Sequence, residues 1–205
     1  MGLFITFEGG EGCGKSSQSR VLHDRLSALR VPTLLTHEPG GTQLGEQLTG
    51  LLKWHRTTKL SGMSELLLFC ASRNHLCEEV LIPSLNKGLV VICDRYVDSS
   101  IAYQGYGRGI DIDTVIKLCD LSSGQLKPDL TFLLDMPVEQ GLARKKSSRH
   151  DRFESEEIAF HQRVRDGFLQ LAQREATRFM VIDASLSKPD ISEIIWQKVS
   201  PMLKL

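Results

Sequence analysis

The sequence has no surplus of charge of either sign: its 205 residues carry 25 Lys plus Arg against 25 Asp plus Glu. A long polyanion is usually met by a basic surface, so the balance argues against a general nucleic-acid binder. It argues equally against a tail protein kept unfolded by its own charge. Cysteine is sparse and shows no pairing pattern, with five residues at 13, 70, 77, 93 and 119 and no CxxC. This speaks against a disulfide or zinc framework and predicts reduced, mostly buried thiols in a cytoplasmic protein. No apolar run approaches the ~18 residues that a membrane span needs. No basic leader precedes Leu3-Phe4-Ile5-Thr6-Phe7, so no secretory address and no membrane partner is expected. Repeats and low-complexity segments are absent as well. What remains is the composition of an ordinary globular chain, long enough to bury one core; we read 1–205 as a single domain.

Short apolar, β-rich runs occur at 3–8, 33–36, 89–93, 130–135 and 179–183. Their near-continuous apolarity predicts strands covered on both faces of a parallel sheet. Helical periodicities lie between them: Val21, Leu22, Leu26 and Leu29; Leu66, Leu67, Cys70, Leu76 and Val80; Val115, Ile116, Leu118, Cys119 and Leu121. Residues 158–172 and 191–203 predict two more helices. Alternating strand and helix gives a doubly wound α/β fold, which binds ligands at the carboxyl ends of its strands.

The first run ends in Gly9-Gly10-Glu11-Gly12-Cys13-Gly14-Lys15-Ser16, a match to G-x-x-x-x-G-K-[ST] between a strand and a helix. The glycines let successive backbone N–H groups point into one concavity around phosphate oxygens, and the following helix adds its positive end. Lys15 reaches β- and γ-phosphates and Ser16 holds Mg²⁺. A guanine-nucleotide switch would also need Asp-x-x-Gly, which is absent, and Asn-Lys-x-Asp, whose nearest approach is Ser187-Lys188-Pro189-Asp190.

At the end of the third run, Asp94 is placed to hold Mg²⁺ or its water, and Arg95 offers a planar fork for a second phosphate. Residue chemistry alone reads Glu38-Pro39-Gly40-Gly41-Thr42 as a turn and helix cap before it reads it as the wall of an acceptor pocket. Phe69 and Arg73, spaced i, i+4, share a helix face; spacing alone favours a core Phe with a snorkelling Arg over a base-stacking pair. Residues 144–152 carry five basic side chains against one acid, either a solvated face or a basic flap closing on phosphates.

Taken in order, these segments resemble the bacterial thymidylate kinase family. Phe7–Ser16, Glu38–Thr42, Phe69-Cys70-Ala71-Ser72-Arg73, Asp94–Gly105, Pro128-Asp129-Leu130, Asp151-Arg152-Phe153-Glu154 and Arg163–Phe168 carry the likeness; Asp-Arg-Tyr…Ala-Tyr-Gln-Gly is its most specific part. The resemblance implies a P-loop NTPase fold of three layers, a five-stranded parallel sheet flanked by helices, with a small basic lid at about 143–155. It implies transfer of the γ-phosphate of ATP to dTMP, giving dTDP, with Mg²⁺, in a cytoplasmic homodimer. ATP would be held by Gly9, Gly10, Glu11, Gly12, Cys13, Gly14, Lys15, Ser16 and Ser17, with Arg144 near the adenine and the metal on Ser16 and Asp94. Phe69 would stack on thymine, Arg73 would bond the base edge, and Ser100 and Gln104 would contact the base. Glu38 would line the same site. Tyr103 would crowd the sugar 2′ position, and Glu11 would meet the 3′-hydroxyl. Lys15, Arg95, Arg149 and Arg152 would be catalytic, since Glu11 and Gly12 stand where one branch of the family has a basic loop residue.

Two positions depart from the family pattern. His37 stands where Arg usually precedes Glu-Pro-Gly-Gly, and Thr49 where an Arg usually helps to hold the acceptor phosphate. The clamp would then lean on Arg95, or borrow Lys53 or His37. The alternatives beside this reading are a kinase of another nucleoside monophosphate or deoxynucleoside, and a non-catalytic phosphate-loop switch.

Overall fold

A computed structural model describes residues 2–54, 60–144 and 151–203. The five apolar runs form strands β1 (Leu3–Glu8), β2 (Thr33–His37), β3 (Val90–Asp94), β4 (Leu130–Asp135) and β5 (Phe179–Asp183), joined in one sheet of order β2-β3-β1-β4-β5. All neighbours pair in parallel, with Phe7 opposite Asp94 and His37 also opposite Asp94, so three carboxyl ends lie level at one edge of the sheet. The central strands are buried on both faces, as their unbroken apolar sequence requires.

The helices are α1 (Lys15–Ala28), α2 (Gln43–Trp54), α3 (Gly62–Leu76), α4 (Ile82–Asn86), α5 (Val97–Ser100), α6 (Ile112–Ser123), α7 (Val138–Arg144), α8 (Ile158–Arg174) and α9 (Lys188–Val199). One cluster, with Ile5, Phe7, Leu26, Phe132 and Ile195, packs the sheet against α1 and α9. Another, with Leu66, Tyr103, Val115, Phe160 and Phe168, joins α3, α6 and α8.

The expected apolar stripes hold in part: Leu22, Leu26, Leu66, Cys70, Leu76, Val115 and Cys119 are buried, whereas Val21, Leu29, Leu67 and Leu121 are exposed. Helix α1 also buries the polar Lys15, Gln18 and Ser19, with Gln18 donating to Lys188 O on α9. The last helix begins earlier than expected, at Lys188: the Ser187 side chain accepts from Asp190 N and Pro189 occupies its first turn. The segment that resembled a guanine-reading motif is therefore a helix cap. Residues 101–107, which carry Tyr103 and Gln104, form a π-helical stretch that the apolar pattern did not reveal.

Candidate active site

The carboxyl ends of β1, β2 and β3 open onto a cleft of about 670 Å³. At its phosphate end the chain turns through Gly9–Gly14 into α1. The helix begins on Gly14, in the left-handed region at φ 93°, with no side-chain cap, which leaves first-turn N–H groups for an anion. Gly12, at φ 71°, lies so close to α7 that a Cβ there would come within 1.9 Å of Gly141 O. Lys15 Nζ donates to Gly10 O at 2.6 Å, and Ser16 Oγ donates to Asp94 Oδ2. Asp94 Oδ1 is buried with no hydrogen-bond partner among the described residues.

At the other end, arginines are held by carboxylates. Arg73, 1% exposed, spans Glu38 with Nε and Nη2 at 2.9 and 2.8 Å, donates to Ser100 Oγ at 2.7 Å and reaches Cys119 Sγ at 3.4 Å. Burial raises the Glu38 carboxyl to about 6 against the opposing pull of Arg73. Arg95 adopts φ 72°, a strained conformation for a long side chain; its N–H donates to Phe7 O at 2.9 Å, and the next N–H, of Tyr96, to Glu8 Oε1 at 2.7 Å. This clamp aims the Arg95 guanidinium at Gly9 O, Ser99 and Glu11, the last at 2.8 Å. Tyr103 donates to the same Glu11 oxygen at 2.8 Å.

The thymidylate kinase family model matches residues 7–195. The chain belongs to that family. A thymidylate kinase of Dehalococcoides mccartyi is 54% identical over 205 residues, covering 100% of this chain and 99% of its own. Another, of Trichormus variabilis, is 45% identical over 206 residues, covering 99% and 98%. The crystal structure of thymidylate kinase from Ehrlichia chaffeensis resembles this one at TM-score 0.74 and 39% identity, over 88% of this chain and 92% of that one.

Of the residues that the thymidylate kinase resemblance implied, Glu11, Gly12, Gly14, Lys15, Ser16, Ser17, Glu38, Phe69, Arg73, Asp94, Arg95, Ser100, Tyr103 and Gln104 line the cleft. Gly9, Gly10 and Cys13 face a small hollow behind the loop. Arg144, at the end of α7, donates to Ala184 O at 2.9 Å, beyond β5. Arg149 lies outside the described residues. Arg152, expected over the phosphates, is committed instead to α2 and α3: its Nε donates to Leu52 O at 3.1 Å and its Nη2 to Glu65. Its partner there, Glu65, is a buried carboxylate that needs a cation close by. Thr49 Oγ1 bonds Gly45 O within α2, so it offers nothing to the cleft, whereas His37 and Lys53 both line it.

Sequence reasoning missed the carboxylates beneath the site. Glu8 is fully buried and accepts from Tyr96 N and Ser99 Oγ; burial, then the neighbouring Asp98, pushes its carboxyl up to about 8. Asp98 is bound by both terminal nitrogens of Arg178 at 2.8 Å. Glu65, 1% exposed, receives Gln104, Arg108 and Arg152. A signal for Glu65 was available: 65, 69 and 73 share one face of α3.

Proposed function

We propose that this chain transfers the γ-phosphate of ATP to dTMP, giving ADP and dTDP, and that the cleft residues divide the work as follows. A phosphate oxygen of dTMP attacks the γ-phosphorus in line, the bond to the β,γ-bridging oxygen breaks, and ADP leaves. No side-chain nucleophile takes part. Such a reaction needs positioning and charge neutralisation. The loop amides and Lys15 hold the ATP phosphates. Arg95 holds the acceptor phosphate, helped by Lys53 or His37 in place of an arginine at Thr49. Phe69, Arg73, Ser100 and Gln104 take the base; Glu11 and Tyr103 take the sugar.

The Ser16 hydroxyl and the Asp94 carboxylate, with its unpartnered Oδ1, are hard oxygen donors that suit Mg²⁺. Phosphate oxygens would supply the ion's remaining ligands. When bound, Mg²⁺ neutralises charge on the phosphate oxygens. The segment at about 143–155 acts as a basic lid. Five free, buried cysteines support a reducing cytoplasm, and exposed Leu51, Trp54, Leu67 and Leu121 on α2, α3 and α6 support a homodimer. Among the described residues, no helix is long and apolar enough to cross a membrane.

The observation that carries this reading is one cleft with a phosphate loop at one end and carboxylate-held arginines at the other, in a member of the thymidylate kinase family. The test is ADP formation with dTMP, dUMP, dCMP, dGMP and thymidine as acceptors. Preference for dTMP is expected; preference for any other acceptor overturns it.

A further inference from the structure

Glu65 lies on α3, one turn before the base-stacking Phe69, and nothing in the reaction above uses it. Its side chain is 1% exposed, yet it collects four polar contacts. Oε1 accepts from Gln104 Nε2 at 2.8 Å and from Arg108 Nε at 3.3 Å. Oε2 accepts from Arg108 Nη2 at 3.2 Å and from Arg152 Nη2. As an anion flanked by two guanidinium groups, this carboxylate offers acceptors and no donor.

That chemistry fixes the Gln104 amide. Only its NH₂ can meet the carboxylate; turned over, two oxygens would face each other in a buried place, at the cost of a lost hydrogen bond and a repulsion. With the nitrogen committed to Glu65, the group that Gln104 brings to the cleft it lines is a carbonyl oxygen. On the same wall Arg73 presents only donors, already oriented by Glu38 and Ser100. A donor beside an acceptor complements a pyrimidine with a 4-oxo group and an N3–H. A 4-amino pyrimidine carries the reverse pair: its amino group would meet Arg73 donor to donor, and its N3 lone pair would meet the Gln104 oxygen.

We propose that Glu65 is a specificity-determining positioning residue: it locks the Gln104 amide with its oxygen toward the base and so selects imide over 4-amino pyrimidines. This rests on the reading of the cleft as the dTMP site. Arg108 and Arg152 compensate the buried charge, which lets the lock persist without a bound base.

The test measures kcat/KM for dTMP and for dCMP in Glu65→Gln, whose own amide can meet Gln104 in either orientation. We expect the dTMP-to-dCMP ratio to fall by at least about tenfold, because the amide is free to turn over. We also expect the KM for ATP to stay unchanged and Glu65→Asp to restore part of the ratio. In a Gln104→Leu background, Glu65→Gln should leave the ratio where Gln104→Leu puts it. Equal losses for both acceptors, or the same fall of the ratio in the Gln104→Leu background, overturn the proposal. If the charge change prevents folding, the charge-balanced double variant Glu65→Gln, Arg108→Gln reads the same ratio. A wild-type chain that does not prefer dTMP refutes the function itself; a wild-type preference that Glu65→Gln leaves intact refutes only the lock.

Discussion

The two ends of the cleft are built on different principles. The phosphate end is contiguous: eight residues, from Gly9 after β1 to Ser16 in the first turn of α1, bring backbone N–H groups, one ammonium and one hydroxyl to the same hollow. The acceptor end is assembled from distant pairs, Arg73 with Glu38, Arg95 with Glu11, and Gln104, Arg108 and Arg152 with Glu65. Loop amides cannot be neutralised by a neighbouring acid, so the phosphate end stays ready for an anion. Each acceptor-end arginine is paired with a carboxylate, which fixes its direction and spends part of its charge. On the proposed function, the difference teaches that the first end is chiefly catalytic, whereas the second is also a structural joint.

The largest expected effect tests the catalytic half of that contrast. Lys15→Ala should lower kcat by about a thousandfold or more, because it removes charge from the transferring phosphoryl group, while the melting temperature barely moves. A large loss of stability with little loss of rate would reverse the contrast. Next comes Arg73→Ala, which strands the buried Glu38 and should cost about 3–5 kcal/mol of stability, a drop on the order of 10 °C in Tm for a chain of this size. Adding Glu38→Gln should recover part of it. An Arg73→Ala protein as stable as wild type would show that the acceptor wall is not a joint.

A smaller effect probes the substitute for the arginine absent at Thr49. Lys53→Ala should raise the KM for dTMP by roughly tenfold, as expected for one lost charge-assisted contact, with the KM for ATP unchanged. If His37→Ala raises it and Lys53→Ala does not, His37 is the substitute.

The smallest effect is on pH dependence. Burial raises Glu8 to about 8 and Glu38 to about 6, so the folded chain keeps protons that the unfolded chain releases above about 4.5. Stability from these protons is fully present below that pH and is lost as pH rises through the folded values. Thermal melts should therefore fall between about pH 4.5 and 8, with a shallower slope in Glu8→Gln. Identical slopes would show that Glu8 does not hold its proton.

The same contrast explains what was legible in the sequence. The strands and the phosphate loop follow from local pattern, since burial on both faces enforces unbroken apolar runs and a phosphate cradle needs neighbouring glycines. Residues 3–8 and 9–16 could be read for that reason. Spacing alone treated Arg73 as a snorkelling side chain, because its partner Glu38 is on the β2 side of the cleft, and only family resemblance raised it to a base contact. Glu8, Glu65 and Asp98 went unread because a single acid in a helix or at a strand end looks like a cap or a surface charge. Their meaning depends on cations brought close by the fold, such as Arg178 against Asp98, eighty residues apart in sequence. The α1 stripe held at Leu22 and Leu26 but not at Val21 and Leu29, because α1 also turns the polar Lys15, Gln18 and Ser19 inward.

The contact of Gly12 with Gly141 extends the phosphate loop beyond its own motif. A Cβ on Gly141 would come within 2.3 Å of Glu11 O, as one on Gly12 would strike Gly141 O. The loop is thus moulded between its own glycines and one contributed by α7, a hundred and more residues downstream. Gly141 behaves as a non-contiguous member of the motif, and a methyl group there would be a lesion of the phosphate cradle in a residue that no pattern search would assign to it.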